Sequence, residues 1–184
     1  MVRRAACGYR SAQRCEVGDG PLNLPVAELL TELGVGIVII IVLSAAIGIW
    51  AVHWPNAWVD RDIGLLRMTR WDSLPGYERV GILWWKRNFP EGGNWAGGKS
   101  KNRLPDLADV TAINGYIRET RRAEWVHWIS CLTWLPTLLF ATWWIVLVLA
   151  VLTIILNGIP IAILRYNRKR LYGVIADLDQ AEPA

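Results

Sequence analysis

Residues 125–164 read WVHWISCLTWLPTLLFATWWIVLVLAVLTIILNGIPIAIL, and His127 is the sole acidic or basic side chain among them. Drawn out as one α-helix, this run would be about 60 Å long at 1.5 Å per residue, roughly twice the thickness of a bilayer's hydrocarbon core. It must therefore turn back once. Two features bear on where: Pro136 can kink a helix, and Trp143 and Trp144 place interfacial aromatics about one bilayer width from either end. The reversal is expected near 140–144, between spans over 120–141 and 143–165.

A second run, LGVGIVIIIVLSAAIGIWAV at 33–52, contains no charge and is long enough to cross on its own. A cleaved signal peptide is the rival reading, with Ser44, Ala45 and Ala46 as a cleavage site. The polar stretch before Leu33 is much longer than an ordinary signal n-region, so a membrane anchor over 33–53 is favoured. With 53% hydrophobic residues and a mean hydropathy of +0.26, the 184-residue chain is too apolar for an average soluble domain and long enough for one compact unit. The expected fold is an all-α integral membrane protein. It has a flexible leader over 1–30, one membrane domain over 31–172 with about three spans, short interfacial helices in a middle segment over 54–119, and a tail over 173–184.

Orientation follows from charge. Of the 20 Lys and Arg residues, Arg3, Arg4, Arg10 and Arg14 precede the first apolar run and the other 16 follow it, between Arg61 and Arg170. Three spans put the middle segment and tail on one side, and the positive-inside bias assigns that side to the cytoplasm of a multi-pass cell-membrane protein. The 12 tryptophans suit the membrane surface, and Trp50, Trp54 and Trp58 at spacing four are expected on one helix face as interfacial anchors, with His53 beside them. Cys7, Cys15 and Cys131 are odd in number and lack metal-ligand spacing, so neither a disulfide framework nor a zinc site is expected.

Two motifs compete for a chemical reading. Gly93 to Ser100, GNWAGGKS, satisfies the G-x-x-x-x-G-K-[ST] phosphate-loop pattern. Such a loop must lead directly into a helix whose N-terminus faces the phosphates, and here Pro105 follows within about a turn and a half. The middle segment is also too short for the α/β domain that carries the loop. The string is read as a basic loop whose Lys99 and Lys101 meet phosphate groups at most.

The richer motif is RETRRAEWVHWISC at 118–131. At 100° per residue from Glu119, Ser130 falls near 20°, His127 near 80°, Thr120 near 100° and Glu124 near 140°, so one arc collects acids, imidazole and hydroxyls. An ionisable group entering an apolar helix is a functional candidate because its burial is costly. Glu124, three residues earlier, can reach His127, and a carboxylate on one ring nitrogen would fix the tautomer of a general base. The bland reading is a polar contact between helices. A metal site is disfavoured, since one Glu-x-x-His supplies two ligands and carboxylate bundles need two such motifs. In the last span, Asn157-Gly-Ile-Pro160 predicts a kink, and RYNRKRL at 165–171 a cationic cluster on the same side as Glu124.

The string ETRRAEWVHWIS at 119–130, the Asn157-x-x-Pro160-Ile element, the Arg165 to Leu171 cluster and Trp85-Lys86 followed by PEG at 90–92 together resemble the glycosyl-4,4'-diaponeurosporenoate acyltransferases. These are small membrane enzymes of staphyloxanthin-type carotenoid synthesis. The resemblance implies transfer of a fatty acyl group from acyl-CoA or another activated donor to the sugar of a glycosylated lipid acceptor, with no bound cofactor and no nucleic-acid partner. On that implication His127, Glu124 and Glu119 are catalytic, as base, orienting group and sugar or helix support. Trp85, Lys86, Arg122, Trp128, Asn157, Arg165, Asn167 and Arg168 bind substrates, the cationic ones at donor phosphates or a developing oxyanion. Family membership leaves the acceptor open among carotenoids, other isoprenoids and glycolipids. The alternative is a non-catalytic membrane subunit that packs its polar stripe against a partner.

Overall fold

The computed structural model describes residues 26–88, 105–107 and 109–181. The phosphate-loop string, the PEG element at 90–92 and residues 1–25 of the leader lie outside them, whereas residues 26–30, also expected in the flexible leader, belong to the first helix. Helix α1 (Val26–Ala51) is followed by 3-10 turns at Asn56–Trp58 and Gly64–Leu66, then by α2 (Leu74–Arg79) and α3 (Ile82–Asn88). Helix α4 (Val110–Ser130), a 3-10 segment at Leu135–Leu139 and α5 (Trp143–Ala181) complete the chain. No strand occurs among the described residues. Two helices, α1 and α5, are long and apolar enough to cross a membrane.

Helix α4 is capped by Asp109, whose carboxylate accepts from Thr111 N–H at 2.8 Å. The expected second span was one helix over 120–141, but the α-helix stops at Ser130 and the chain continues through turns and the 3-10 segment. Pro136 supplies the reason: it has no N–H to donate and disfavours the α conformation at Leu135. Backbone bonds to the third residue back take over, Thr133 N–H to Ser130 O at 3.1 Å and Thr137 N–H to Trp134 O at 3.0 Å, and the hydroxyls of Thr133 and Thr137 add bonds to the same carbonyls at 2.8 and 2.7 Å. In an apolar environment this replaces the missing helical ladder. The irregular stretch thus runs over 131–142, and α5 begins at Trp143, within the region expected for the reversal.

Three legs run side by side. Thr142 N–H donates to Glu32 Oε2 at 2.8 Å where α5 starts, and Ser44 and Thr133 hydroxyls approach to 3.5 Å mid-way. At the far end Arg122 reaches the carbonyl of Trp54 at 3.4 Å. Residues 122–142 therefore travel antiparallel to 32–54, and α5 packs back mainly against α4. Helix α1 ends at Ala51, before Trp54, so the three tryptophans do not share its face. Their rings still form a ladder, with centroids 5.3 Å apart for Trp50–Trp54 and 6.3 Å for Trp54–Trp58. Trp54 is buried while its neighbours stay exposed. Between α2 and α3 the chain turns at Gly81, whose φ of 74° is readily available to glycine.

Close approach of α1 rests on Gly36. A Cβ there would meet Leu149 Cδ1 at 2.5 Å and Thr137 Cγ2 at 3.5 Å, whereas one at Gly34 would meet nothing within 4 Å. Small residues at such crossings let backbones approach. Gly36→Leu should lower thermal stability in detergent by about 1–3 kcal/mol through overpacking, and Gly34→Leu should leave it unchanged. Equal melting of the two variants would show that α1 does not pack here.

Candidate active site at the polar end of the helical bundle

The buried face of α4 is Ile113, Ile117, Thr120 and Glu124, at helical spacing, and that of α5 includes Ile161, Leu164, Arg168 and Leu171. Ile113, Ile117 and Leu171 form an apolar core beyond which the two stripes bring Glu124 and Arg168 together, each 0% exposed. A charge at such a position survives only with partners. Glu124 Oε1 accepts from Arg165 Nε at 2.7 Å and from Trp128 Nε1 at 3.2 Å. Its Oε2 lies 2.7 Å from Arg168 Nη2, an ion pair by distance but off the hydrogen-bond direction. Arg168 Nη2 also donates to Leu66 O at 2.9 Å, and its Nε stands 3.7 Å from Asp62 Oδ1.

The network extends into the segment after α1. Arg165 Nη1 donates to both oxygens of Asp72, at 3.3 and 3.2 Å, and Nη2 to Leu65 O. Asp72 further accepts from Thr69 N–H at 2.6 Å, from the Thr69 hydroxyl at 2.8 Å and from the Tyr77 hydroxyl. Burial pushes the Asp72 carboxyl up, but the bonds from Tyr77 and Thr69 and the charge of Arg165 outweigh it and hold its pKa below 3.8. Tyr77 is driven well above the ordinary phenol value, by burial first and then by its bond to Asp72, so it stays a neutral donor. On the other flank Arg121 Nε binds Asp62 at 2.7 Å and Arg121 Nη2 the Tyr172 hydroxyl at 2.8 Å, while that hydroxyl donates to Asp62 at 2.6 Å. Glu124, Asp72 and Asp62 thus balance Arg165, Arg168 and Arg121.

His127 sits one turn further along α4 than Glu124. Its Nδ1 lies 3.0 Å from Asn157 Oδ1, and Asn157 Nδ2 donates to Thr153 O at 2.9 Å. With its amide nitrogen so engaged, Asn157 presents a carbonyl to the ring. Facing that oxygen, Nδ1 is the donor of the pair. Asn157 thus meets Nδ1 of the imidazole, while Glu124 Oε1 accepts from Arg165 and Trp128 and its Oε2 lies beside Arg168.

The remaining expected site residues divide. Lys86 donates to Asn167 Oδ1 at 2.8 Å, joining α3 to a buried amide of α5 beside Arg168. Glu119 instead pairs with Arg122 at 2.5 Å on the α4 surface, and Arg122 also reaches Asn56 Oδ1 at 2.9 Å. Trp85 packs edge-on against Trp84, centroids 4.9 Å apart. Those three therefore stand away from the Glu124 network. Sequence reading missed Asp62, Asp72, Tyr77, Arg121 and Tyr172. One local signal existed for Asp72: Thr69 three residues before it is the spacing of a side-chain-capped turn.

Beside the network runs an open groove of about 310 Å³. Tyr77, Trp128 and Arg165 form one end, and Cys131, Ile154, Gly158, Ile161 and Ala162 its apolar walls.

The described residues thus form an all-helical unit with two helices long and apolar enough to cross a membrane and an ion-pair network buried between α4 and α5. The chain belongs to the glycosyl-4,4'-diaponeurosporenoate acyltransferase (CrtO) family, whose model matches residues 64–177. That span holds Asp72, Glu124, His127, Asn157, Arg165 and Arg168 and leaves out α1. No curated protein and no solved structure matches the chain.

The network makes Glu124 structurally indispensable. Glu124→Gln leaves Arg165 and Arg168 without their shared carboxylate and should cost about 3–5 kcal/mol of folding stability, the range for breaking a buried pair. Glu119→Gln, which removes a part-exposed partner, should cost about 0–1 kcal/mol. Thermal unfolding of both in one detergent checks the ranking, and equal losses would contradict the buried assignment.

Proposed function

We propose that the protein transfers a fatty acyl group from acyl-CoA or a similar activated donor to a sugar hydroxyl on a glycosylated carotenoid, isoprenoid or related glycolipid. The observation that carries this reading is the Asn157–His127 pair, which leaves Nε2 basic one helical turn from a guanidinium cluster. Nε2 takes the proton of the sugar hydroxyl as its oxygen attacks the acyl carbonyl. The tetrahedral oxyanion develops at the polar end of the groove, which Arg165 lines. Collapse restores the carbonyl and expels the thiolate, which takes the proton back from the imidazolium. Asn157 orients the ring, while Glu124, Arg168 and Asp72 hold Arg165 in place.

The role of packing subunit fits less well. It needs the polar stripe at the surface, and Thr120, Glu124 and Ser130 are buried within this chain. For the membrane, we read α1, the leg over 122–142 and α5 as three crossings, with α2, α3 and the cationic end of α5 on the cytoplasmic face.

His127→Ala should fold, insert and lose about 10²- to 10⁴-fold in turnover. Asn157→Ala should lose less and leave KM for both substrates little changed, since it acts through the ring. Acyl transfer assayed with purified protein decides this, and a well-folded His127→Ala of normal activity would remove the base assignment. For topology, single cysteines beside Glu32 and Arg170 should label from opposite faces; labelling from one face would refute three crossings.

A further inference from the structure

We propose that α2, α3 and the turn before them form a docking surface for anionic phospholipid headgroups, held by exposed arginines and tryptophans. The proposal rests on the reading that α5 crosses the membrane; it does not depend on acyl transfer.

Depth is the first observation. Residues 143–164 of α5 carry no charge and cover about 33 Å at 1.5 Å per residue, one hydrocarbon core of about 30 Å. The short helices are tied to α5 just beyond that run. Tyr77 packs edge-on against Tyr166 with ring centroids 6.2 Å apart, and the Tyr166 hydroxyl donates to Glu78 Oε1 at 3.2 Å. Lys86 Nζ donates to Asn167 Oδ1 at 2.8 Å. Both helices are therefore anchored within about 5 Å, along α5, of the hydrocarbon edge, which is headgroup level.

The second observation is what the surface exposes there. Trp71 is 77% and Trp84 58% exposed, with Val80 and Leu83 also open. Indoles at the membrane boundary bury the ring and hydrate the N–H. The Arg70 guanidinium lies 5.1 Å from the centroid of the Trp71 ring, which joins a cation to the aromatic it would accompany into the interface.

Charge identifies the headgroup. Arg61, Arg67, Arg70, Arg79 and Arg87 are exposed, and none forms an ion pair among the described residues. The exposed acid among them, Glu78, already accepts from Tyr166. This contrasts with the buried arginines of the site, which are matched by carboxylates. A surplus of exposed guanidiniums at headgroup level complements lipids of net negative charge, whose phosphates they can grip in bidentate fashion. Docking would also steady the site, because Tyr77 lies on α2 and Asp72 immediately precedes its N-cap, Ser73.

The test uses the full chain in nanodiscs of phosphatidylcholine, alone or mixed with phosphatidylglycerol. Trp84 emission, taken as the difference between the parent and Trp84→Phe, should be quenched by lipids brominated near the headgroup. Trp143, read in the same way, reports the crossing of α5. A quenched Trp143 beside an unquenched Trp84 overturns the docking and leaves the crossing; quenching of neither removes both. Selectivity is read by native mass spectrometry of protein released from the mixed discs. The parent should retain phosphatidylglycerol over phosphatidylcholine. Arg70→Gln and Arg87→Gln should each lower that preference about fivefold, the effect of one basic residue near an anionic surface. Excess glycerol phosphate at matched ionic strength should leave it unchanged. Equal retention of the two lipids by the parent, an undiminished preference in the folded double variant, or displacement by glycerol phosphate overturns the proposal, the last by showing a site for a soluble phosphate.

Discussion

The fold hinges on the burial of Glu124 between Arg165 and Arg168. Taking a carboxylate and two guanidiniums out of water costs several kcal/mol each, and close pairing with satisfied hydrogen bonds is what offsets it. That requirement fixes the register of α4 against α5, because a slip of one residue would rotate Glu124 by 100° away from its partners. It also recruits the segment after α1: Leu65 O and Asp72 accept from Arg165, Leu66 O accepts from Arg168, and the Asp62 carboxylate lies 3.7 Å from Arg168 Nε. The irregular backbone between α1 and α3 is thus held by the same charges that align the two long helices. Replacing such a network by hydrocarbon is often neutral or stabilising in other proteins, so its presence here points to a requirement for polar chemistry.

Much of this was legible in the sequence where one physical signal dominated. The runs at 33–52 and 143–164 are apolar on every face, and composition alone marks them as long helices. The polar arc of α4 was readable from its period, which correctly put Glu124 and Thr120 on the inward face. The end of α4 was not readable, because the residues after Ser130 are as apolar as those before it. Hydropathy does not distinguish an α-helix from a stretch of tighter turns whose backbone bonds run to the third residue back.

Partners were less legible than positions. Glu124 and His127 are neighbours on one helix, and local spacing makes the pair attractive. The choice among partners, however, is made by α5, 33 to 44 residues further on from Glu124, where Asn157 meets the ring and Arg165 and Arg168 meet the carboxylate. Nor does spacing on one helix reveal that Glu119 is spent on Arg122 at the surface. Asp72 and Tyr77 lie in a stretch broken by Pro75 and Gly76, and only the tertiary fold joins them to Arg165. Long-range electrostatic partners are what a single sequence conceals most completely.

The division of labour between His127 and Glu124 has a chemical consequence. A carboxylate on Nδ1 would stabilise the imidazolium and raise the basicity of Nε2, while a neutral amide orients the ring and adds no charge. With Asn157 in that place, the ring is oriented by a neutral amide, and on the acyl-transfer reading that is the environment of the base. Such a centre suits an attacking group that needs only transient proton removal, as a sugar hydroxyl does against an activated acyl carbonyl. It would serve poorly for a nucleophile that must be held ionised. The arginines that look cationic in sequence are, once folded, paired with Glu124, Asp72 and Asp62.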